Sequence, residues 1–306
     1  MSKWVIGVIG GSGLYAIDGL ENSEDVRVET PWGAPSDVLV KGQVGDVEFI
    51  FLPRHGKGHR LSPTSVPYRA NIDALKRLGC TDILSISACG SLQEQYAPGD
   101  FVMVDQFIDR TFAREKTFFG PGMVAHVSVA DPICSRLSGL AGDAAAAAGA
   151  KTHRGGTYLA MEGPQFSSRA ESHMYRQWGC DVIGMTNMPE AKLAREAELP
   201  YATIAMVTDY DCWREDEAAV EVTNVLEVMA ANTAKAKTTI RSLAEALQGV
   251  SRTPSPQGIE TCLDFAMITS PEGRDPAILA RLDAVAGRVL NPSFVSACGG
   301  NSTITA

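Results

Sequence analysis

The chain predicts an α/β fold in which helices cover a mostly parallel sheet, and three features carry that expectation. Apolar runs of strand length alternate with amphipathic or alanine-rich stretches along most of the 306 residues. The first run, Val5-Ile6-Gly7-Val8-Ile9, is apolar or glycine throughout, as a strand covered on both faces must be, and it stops on Gly10-Gly11-Ser12-Gly13. A composition that is 45% hydrophobic and 21% charged suits a chain able to bury a full core.

The elements follow in order. Val38-Leu39-Val40 and the run from Val47 to Leu52 flank Gly45-Asp46 as a hairpin, the second strand delivering Arg54 and His55. A helix fits Tyr68 to Leu78, with Ile72, Leu75 and Leu78 on one face, Pro67 at its start and Gly79 past its end. Ile83 to Ser87 is the next strand and closes on the small residues Ala88-Cys89-Gly90-Ser91, which let backbone approach a ligand. Phe101 to Val104 reads as a strand, and Asp131-Pro132 reads as the N-cap and first turn of a helix running to about Ala148. Thr157 to Met161 is strand-like. A loop through Pro164 then leads to a helix from Arg169 to Trp178, opened by a Ser168/Glu171 capping box. Val182 to Met185, a helix from Pro189 to Glu198, the strand Tyr201 to Val207 and a long helix from Val220 to Leu247 complete a main domain over residues 1–248. Thr253 to Gly258 reads as a linker within an extension over 249–290 that carries a short helix at Ile278 to Leu290. Residues 291–306, rich in Ser, Thr, Gly and Asn, read as a disordered tail.

Charge and cysteine usage exclude several classes. A net charge of −9 and the lack of any basic run disfavour nucleic acid as a partner. Seven scattered cysteines form no C-x-x-C pair and no metal spacing with histidine, so buried thiols in a reducing cytoplasm are expected and no metal is. The N-terminal apolar stretch is too short for a signal sequence, and no span of about 20 apolar residues predicts a membrane helix.

Four motifs remain. Gly10-Gly11-Ser12-Gly13 after a buried strand suits a phosphate, held by backbone N–H groups and the Ser12 hydroxyl, or is simply a tight turn. It also satisfies a permissive dinucleotide fingerprint, although Ile17-Asp18-Gly19 breaks the helix such a site needs. Arg54-His55-Gly56 with His59-Arg60 offers an oxyanion a guanidinium fork and imidazole donors, or forms a solvated basic turn. Asp209 and Asp211 stand one residue apart after an apolar strand, so in an extended chain both face one ligand edge; exposed carboxylates of an Asx-turn are the alternative. Phe166, in a Gly-Pro loop, is placed to stack on a base or to fill core. A serine hydrolase is disfavoured because Gly90-Ser91 lacks the second half of a nucleophile elbow.

Six ordered blocks carry a resemblance. They are the Gly-Gly-Ser-Gly turn, Arg54-His55-Gly56, Ser85 to Ser91, Glu162-Gly163-Pro164-x-Phe166-Ser167, Met185 to Glu190, and Thr208-Asp209-Tyr210-Asp211-Cys212-Trp213. Over about Val5 to Leu247 the chain resembles the methylthioadenosine phosphorylases, in the trimeric branch of the purine nucleoside phosphorylase family. The resemblance implies a single-domain purine nucleoside phosphorylase-like fold with a central mixed, mostly parallel twisted sheet. It implies phosphorolysis of 5′-methylthioadenosine, with inorganic phosphate as co-substrate, no other cofactor, and a homotrimer or dimer of trimers.

By the same resemblance Ser12, Arg54, His55, Ser87, Ala88 (through its backbone) and Thr186 hold phosphate. Met185 lines the ribose, Phe166 and Ser167 border the purine, and Thr208 is a further substrate-binding residue. Asp209 and Asp211 read the N7 and 6-amino edge. Val222, Val225 and Leu226 bed the methylthio group, with His126 supplied by a neighbouring subunit. The chemistry fits these residue types: an oxocarbenium-like ribose needs an anion below C1′ and a better leaving group, so Asp209 must protonate or relay a proton to N7. That role requires burial to raise its pKa. An amino-reading carboxylate pair rejects 6-oxopurines by roughly ten-thousandfold, whereas an apolar 5′ pocket separates methylthio from hydroxyl by only about a hundredfold. A phosphorylase of adenosine or inosine, a hydrolytic nucleosidase and a non-catalytic nucleoside-binding protein are the rival readings. The family's C-terminal Cys-x-Cys pair is absent, as Cys262 stands alone there.

Overall fold

The computed structural model describes residues 3–11, 13–14, 17–214 and 222–290, with backbone only for 222–225. Ser12, Cys298 and the tail expected after Leu290 lie outside the described residues.

An eleven-stranded mixed sheet forms the centre. β1 (Val5–Gly10) pairs in parallel with β4 (Val47–Pro53) on one side and with β5 (Asp82–Ser91) on the other. Its Ile6, Val8 and Ile9 are buried, which is why the segment reads as continuous apolar sequence rather than as an alternating one. Gly7 is required by close packing, since a Cβ there would lie 3.1 Å from the Cys80 sulfur and 3.2 Å from the Leu75 methyls. β3 (Leu39–Val44) closes the expected hairpin with β4 through Gly45, at φ 60°. Beyond β3 lies β2 (Glu21–Val26), an exposed acidic edge strand with a bulge. Charge and bulging are how edge strands resist pairing with other chains, and the same charge hides them from hydrophobic patterning.

β5 is the junction of the sheet. One edge runs along β11 (Tyr201–Asp209) from Ile83 to Gly90. The other edge pairs with β1 only from Asp82 to Ser85, and with β10 (Val182–Gly184), antiparallel, only at Gly90 and Ser91. Residues 86–89 therefore have no strand on that side. From β10 the sheet continues to β9 (Thr157–Ala160) and β7 (Gln106–Asp109); from β11 it continues to β6 (Phe101–Met103) and β8 (Thr152–Arg154).

Two helix pairs pack against this frame. α1 (Tyr68–Arg77) lies on α4 (Asn187–Glu196), and α2 (Ser135–Ala147) lies on α5 (Val222–Leu247). α3 (Arg169–Gln177) opens with the complete capping box, the Ser168 hydroxyl accepting from Glu171 N and the Glu171 carboxylate accepting from Ser168 N at 2.8 Å. The expected helix start at Asp131 does not hold. The Cys134 N–H is taken by the Tyr201 carbonyl at 2.8 Å and Ile133 and Cys134 are buried, so tertiary contacts delay α2 to Ser135.

The C-terminal segment is docked on the same core. Ile259, Leu263, Leu282, Val285 and Ala286 join it, and Arg252 bridges Asp82 and Glu260 at 2.5 and 2.7 Å. Thr253 to Gly258, expected as a linker, is held by Ser255 and Gln257, whose side chains bond one another, and by Gln257 donating to the Ser135 hydroxyl. The single helix expected at Ile278 to Leu290 is two short ones, α6 (Pro276–Arg281), capped by Asp275, and α7 (Gly287–Leu290).

One carboxyl has a consequence for stability. Glu196 accepts from Thr117 Oγ1 and Phe118 N, both at 2.7 Å, anchoring a loop that carries the buried Phe118 ring. Burial pushes its pKa from 4.5 to about 7 against the opposing pull of those two bonds. Between about pH 4.5 and 7 the native state keeps a proton the unfolded chain has lost, so stability falls by on the order of 3 kcal/mol as pH rises through that window. Glu196→Gln, which keeps both contacts without the charge, is expected to raise the urea midpoint at pH 8 and leave it nearly unchanged at pH 4. An equal shift at both pH values contradicts this.

Candidate active site

A cavity of about 380 Å³ opens against the unpaired edge of β5 and is lined by residues 86–90 of that strand. Arg54, His55, Ser87, Ala88 and Thr186 line it, and so do Met185, Phe166, Thr208, Asp209 and Asp211. Arg54 reaches the carbonyl of Ile86, whereas Asp209 lies against Gly90, where a Cβ would come within 2.9 Å of its Oδ1. Four strand residues separate these points, about 13 Å at the rise of a β-strand. One cavity thus has a cationic end and a carboxylate end.

The cationic end is more constrained than the sequence suggests. Arg54 is 2% exposed; its Nε and Nη2 donate to both oxygens of Glu190 at 2.8 and 2.9 Å, and Nη2 also donates to Ser85 Oγ at 2.6 Å. Burial pulls the guanidinium pKa down, but Glu190 outweighs it and the group stays charged. Tyr201 donates its hydroxyl to Glu190 at 2.9 Å, so the pair is held from two sides. Nη1 donates to the Ile86 carbonyl at 3.3 Å. His55 places Nδ1 2.8 Å from the Leu61 carbonyl and stacks on His59, ring centroids 4.2 Å apart. Burial, then the Arg54 charge, lowers its pKa to about 4. The Ser87 hydroxyl donates to Asn187 at 3.0 Å. Since the Ile86 carbonyl faces Arg54 and peptide groups in a strand alternate sides, the Ala88 N–H faces the same open edge. Arg60 leaves the cluster altogether: it is exposed and donates to the Ser36 carbonyl at 2.6 Å.

At the other end β11 stops at Asp209, and Asp211 turns back with φ 53°, a left-handed conformation that aspartate tolerates. The extended-chain argument for the pair therefore fails although both carboxylates reach the cavity. Asp209 accepts from Thr208 Oγ1 at 2.7 Å and from Asp211 N at 2.8 Å. Burial, reinforced by the neighbouring Asp209, raises the pKa of Asp211. The loop bearing Phe166 approaches Met185 closely, because a Cβ on Gly163 would fall 2.4 Å from the methionine sulfur.

Arg114 joins the walls. Fully buried, it donates to the carbonyls of Met185, Met188 and Glu162 at 2.5, 2.7 and 2.6 Å and to the Glu162 carboxylate at 3.0 Å. Glu162 also accepts from Thr64 Oγ1 and from the N–H groups of Phe112 and Ala113. These bonds overcome its burial and hold its pKa at about 2. Nothing in the sequence marks Arg114, which sits in a polar loop.

Other expected residues do not line the cavity. Ser167 stands just behind the lining: its hydroxyl lies 3.7 Å from the Met161 sulfur and bonds the Asp211 carboxylate, and its carbonyl accepts from the Cys212 thiol. Leu226 is 58% exposed, and the side chains of Val222 and Val225 fall outside the described residues. α5 instead lines the cavity with Met229 and Thr233, one to two turns further on, and β11 adds Met206. His126 is exposed, beside Ala266, in a surface that also exposes Val124, Phe265 and Ile268. Among the described residues no cluster of three or more His, Cys, Asp or Glu suits a metal ion, and no helix is long and apolar enough to cross a membrane.

Comparison with known proteins agrees with this architecture. The model of the phosphorylase superfamily matches residues 5–245. S-methyl-5′-thioadenosine phosphorylase of Cereibacter sphaeroides is 60% identical over 288 residues, covering 94% of this chain and 99% of the relative. Its counterpart from Bradyrhizobium diazoefficiens is 55% identical, covering 95% and 99%. The crystal structure of a methylthioadenosine phosphorylase from an antarctic soil metagenomic library superposes with a TM-score of 0.87 at 48% identity, covering 93% and 99%. The Schistosoma mansoni enzyme in complex with adenine gives 0.79 at 39% identity, covering 86% and 99%. A match of this extent, on a sheet whose open edge carries both ends of the cavity, places the chain in the methylthioadenosine phosphorylase family of the phosphorylase superfamily.

Proposed function

We propose that the protein cleaves 5′-methylthioadenosine with inorganic phosphate, yielding adenine and 5-methylthioribose 1-phosphate in methionine and purine salvage. The observation that carries this reading is the single cavity bounded by Arg54 and His55 at one end and Asp209 and Asp211 at the other. The identities of the relatives support the substrate.

In the reaction the C1′–N9 bond breaks with its electron pair retained on adenine, a phosphate oxygen bonds C1′, and one proton passes from phosphate to the base. Arg54 Nη1, the Ala88 N–H, Thr186 and His55 hold the anion, with Ser87 and, from the sequence, Ser12. Held there, phosphate serves as nucleophile and as countercharge to the cationic ribose. Met185 lines the sugar and Phe166 the base. Asp209 delivers a proton toward N7, and Asp211, its pKa raised by burial, reads the amino edge. Met206, Met229 and Thr233 are further candidates to contact the substrate.

The exposed apolar surface around His126 supports a trimer in which that histidine completes a neighbour's cavity. Free thiols at all six described cysteines support a cytoplasmic location. Adenine release from methylthioadenosine is expected to stop when phosphate is omitted and to exceed the corresponding turnover of inosine. Undiminished release without phosphate identifies a hydrolase, and faster use of inosine identifies a 6-oxopurine phosphorylase.

A further inference from the structure

We infer that His55 selects the protonated form of the co-substrate anion: its Nε2 accepts a hydrogen bond from the P–OH of monohydrogen phosphate, so that the site discriminates against sulfate. The inference rests on the reading of this end of the cavity as a phosphate site.

The Leu61 carbonyl can only accept, so the 2.8 Å contact requires the His55 proton to reside on Nδ1. The Leu61 N–H in turn donates to the His55 carbonyl at 3.0 Å, fixing the loop that holds the ring. Nε2 of the neutral ring is then a lone pair, without a protein partner among the described residues, on a side chain that lines the cavity. The charges around it oppose a second proton. Burial is the largest opposing influence, and Arg54, which adjoins it in the chain, His59, which stacks on it, and the Arg114 charge act in the same direction. Glu190 is committed to Arg54 and Tyr201, so it does not serve as a counter-ion to Nε2.

An anion entering this end meets donors from Arg54 Nη1 and the backbone edge of β5 and, in His55 Nε2, an obligate acceptor. Monohydrogen phosphate and monohydrogen arsenate carry a proton to give that acceptor. Sulfate has the same shape and charge but none, and its oxygen would face the Nε2 lone pair with both groups desolvated.

The test is competition against phosphate in the phosphorolysis of methylthioadenosine at about pH 8, where a lost charge-assisted hydrogen bond should make sulfate at least about tenfold weaker than phosphate. Arsenate should replace phosphate in supporting adenine release. His55→Gln, whose amide offers either a carbonyl or an N–H to the anion, should bring the phosphate-to-sulfate ratio to about unity. The wild-type ratio is read without any variant, so a poorly folding substitution does not leave the matter open. Phosphate-dependent turnover with sulfate competing as well as phosphate, or a ratio unmoved by His55→Gln, overturns the inference alone. Turnover indifferent to phosphate overturns the functional reading and the inference together.

Discussion

Asp209→Asn is expected to lower kcat/KM for methylthioadenosine by about a hundred- to ten-thousandfold, the range supplied by a positioned general acid. The substitution is nearly isosteric, and its carbonyl can keep one of the contacts from Thr208 Oγ1 and Asp211 N, each below 3 Å. What it removes, on the proposed mechanism, is the capacity to pass a proton as negative charge grows on the departing base. On the proposed reading the anion end of the cavity lies about 13 Å away along β5, so the phosphate KM should change little. An amide also presents an N–H where the carboxylate presented only acceptors, so the preference for 6-aminopurines over 6-oxopurines should shrink. Steady-state kinetics with methylthioadenosine, inosine and varied phosphate separate these effects. Wild-type kcat/KM in the variant, or a loss confined to the phosphate KM, removes Asp209 from the base end.

Local chemistry explains what the sequence made legible. β1 is continuous and apolar, Gly45-Asp46 is a hairpin turn, and the Ser168/Glu171 capping box joins groups three residues apart, so each is written within a few positions. β2, β7 and β8 are acidic or only three to six residues long, and exist because a neighbouring strand offers them a ladder. No window of sequence contains that neighbour. The same division runs through the site. Residues flanking the ends of β4, β5 and β11 stood out, because glycine, arginine and aspartate there break an apolar run. Glu190 lies 136 residues from Arg54, and Arg114 lies 71 residues from Met185, so their partnership is a product of the fold alone. Met206, Met229 and Thr233 are of types that fill any core, and only the cavity distinguishes them.

Glu190→Ala is expected to cost about 3–5 kcal/mol of stability, because it strands the buried Arg54 charge rather than merely deleting a contact. The guanidinium is 2% exposed and spends Nε and Nη2 on that one carboxylate, and the Tyr201 hydroxyl loses its acceptor as well. If the network served only stability, an apolar replacement of all three groups would serve as well. Arg54→Met with Glu190→Leu and Tyr201→Phe leaves no charge unpaired and strands only the Ser85 hydroxyl, and such apolar replacements are often neutral or stabilising. The triple variant should therefore recover the urea midpoint lost by Glu190→Ala while remaining unable to use phosphate, since Nη1 is gone from the cavity. Glu190 then appears as a positioning residue: it holds the fork so that one edge reaches the ligand, and its charge offsets a cation that the dry interior would otherwise penalise. Recovery of phosphate-dependent turnover in the triple variant would show that the anion is held without Arg54. A Glu190→Ala protein as stable as wild type would show that the pair is not desolvated as its geometry requires.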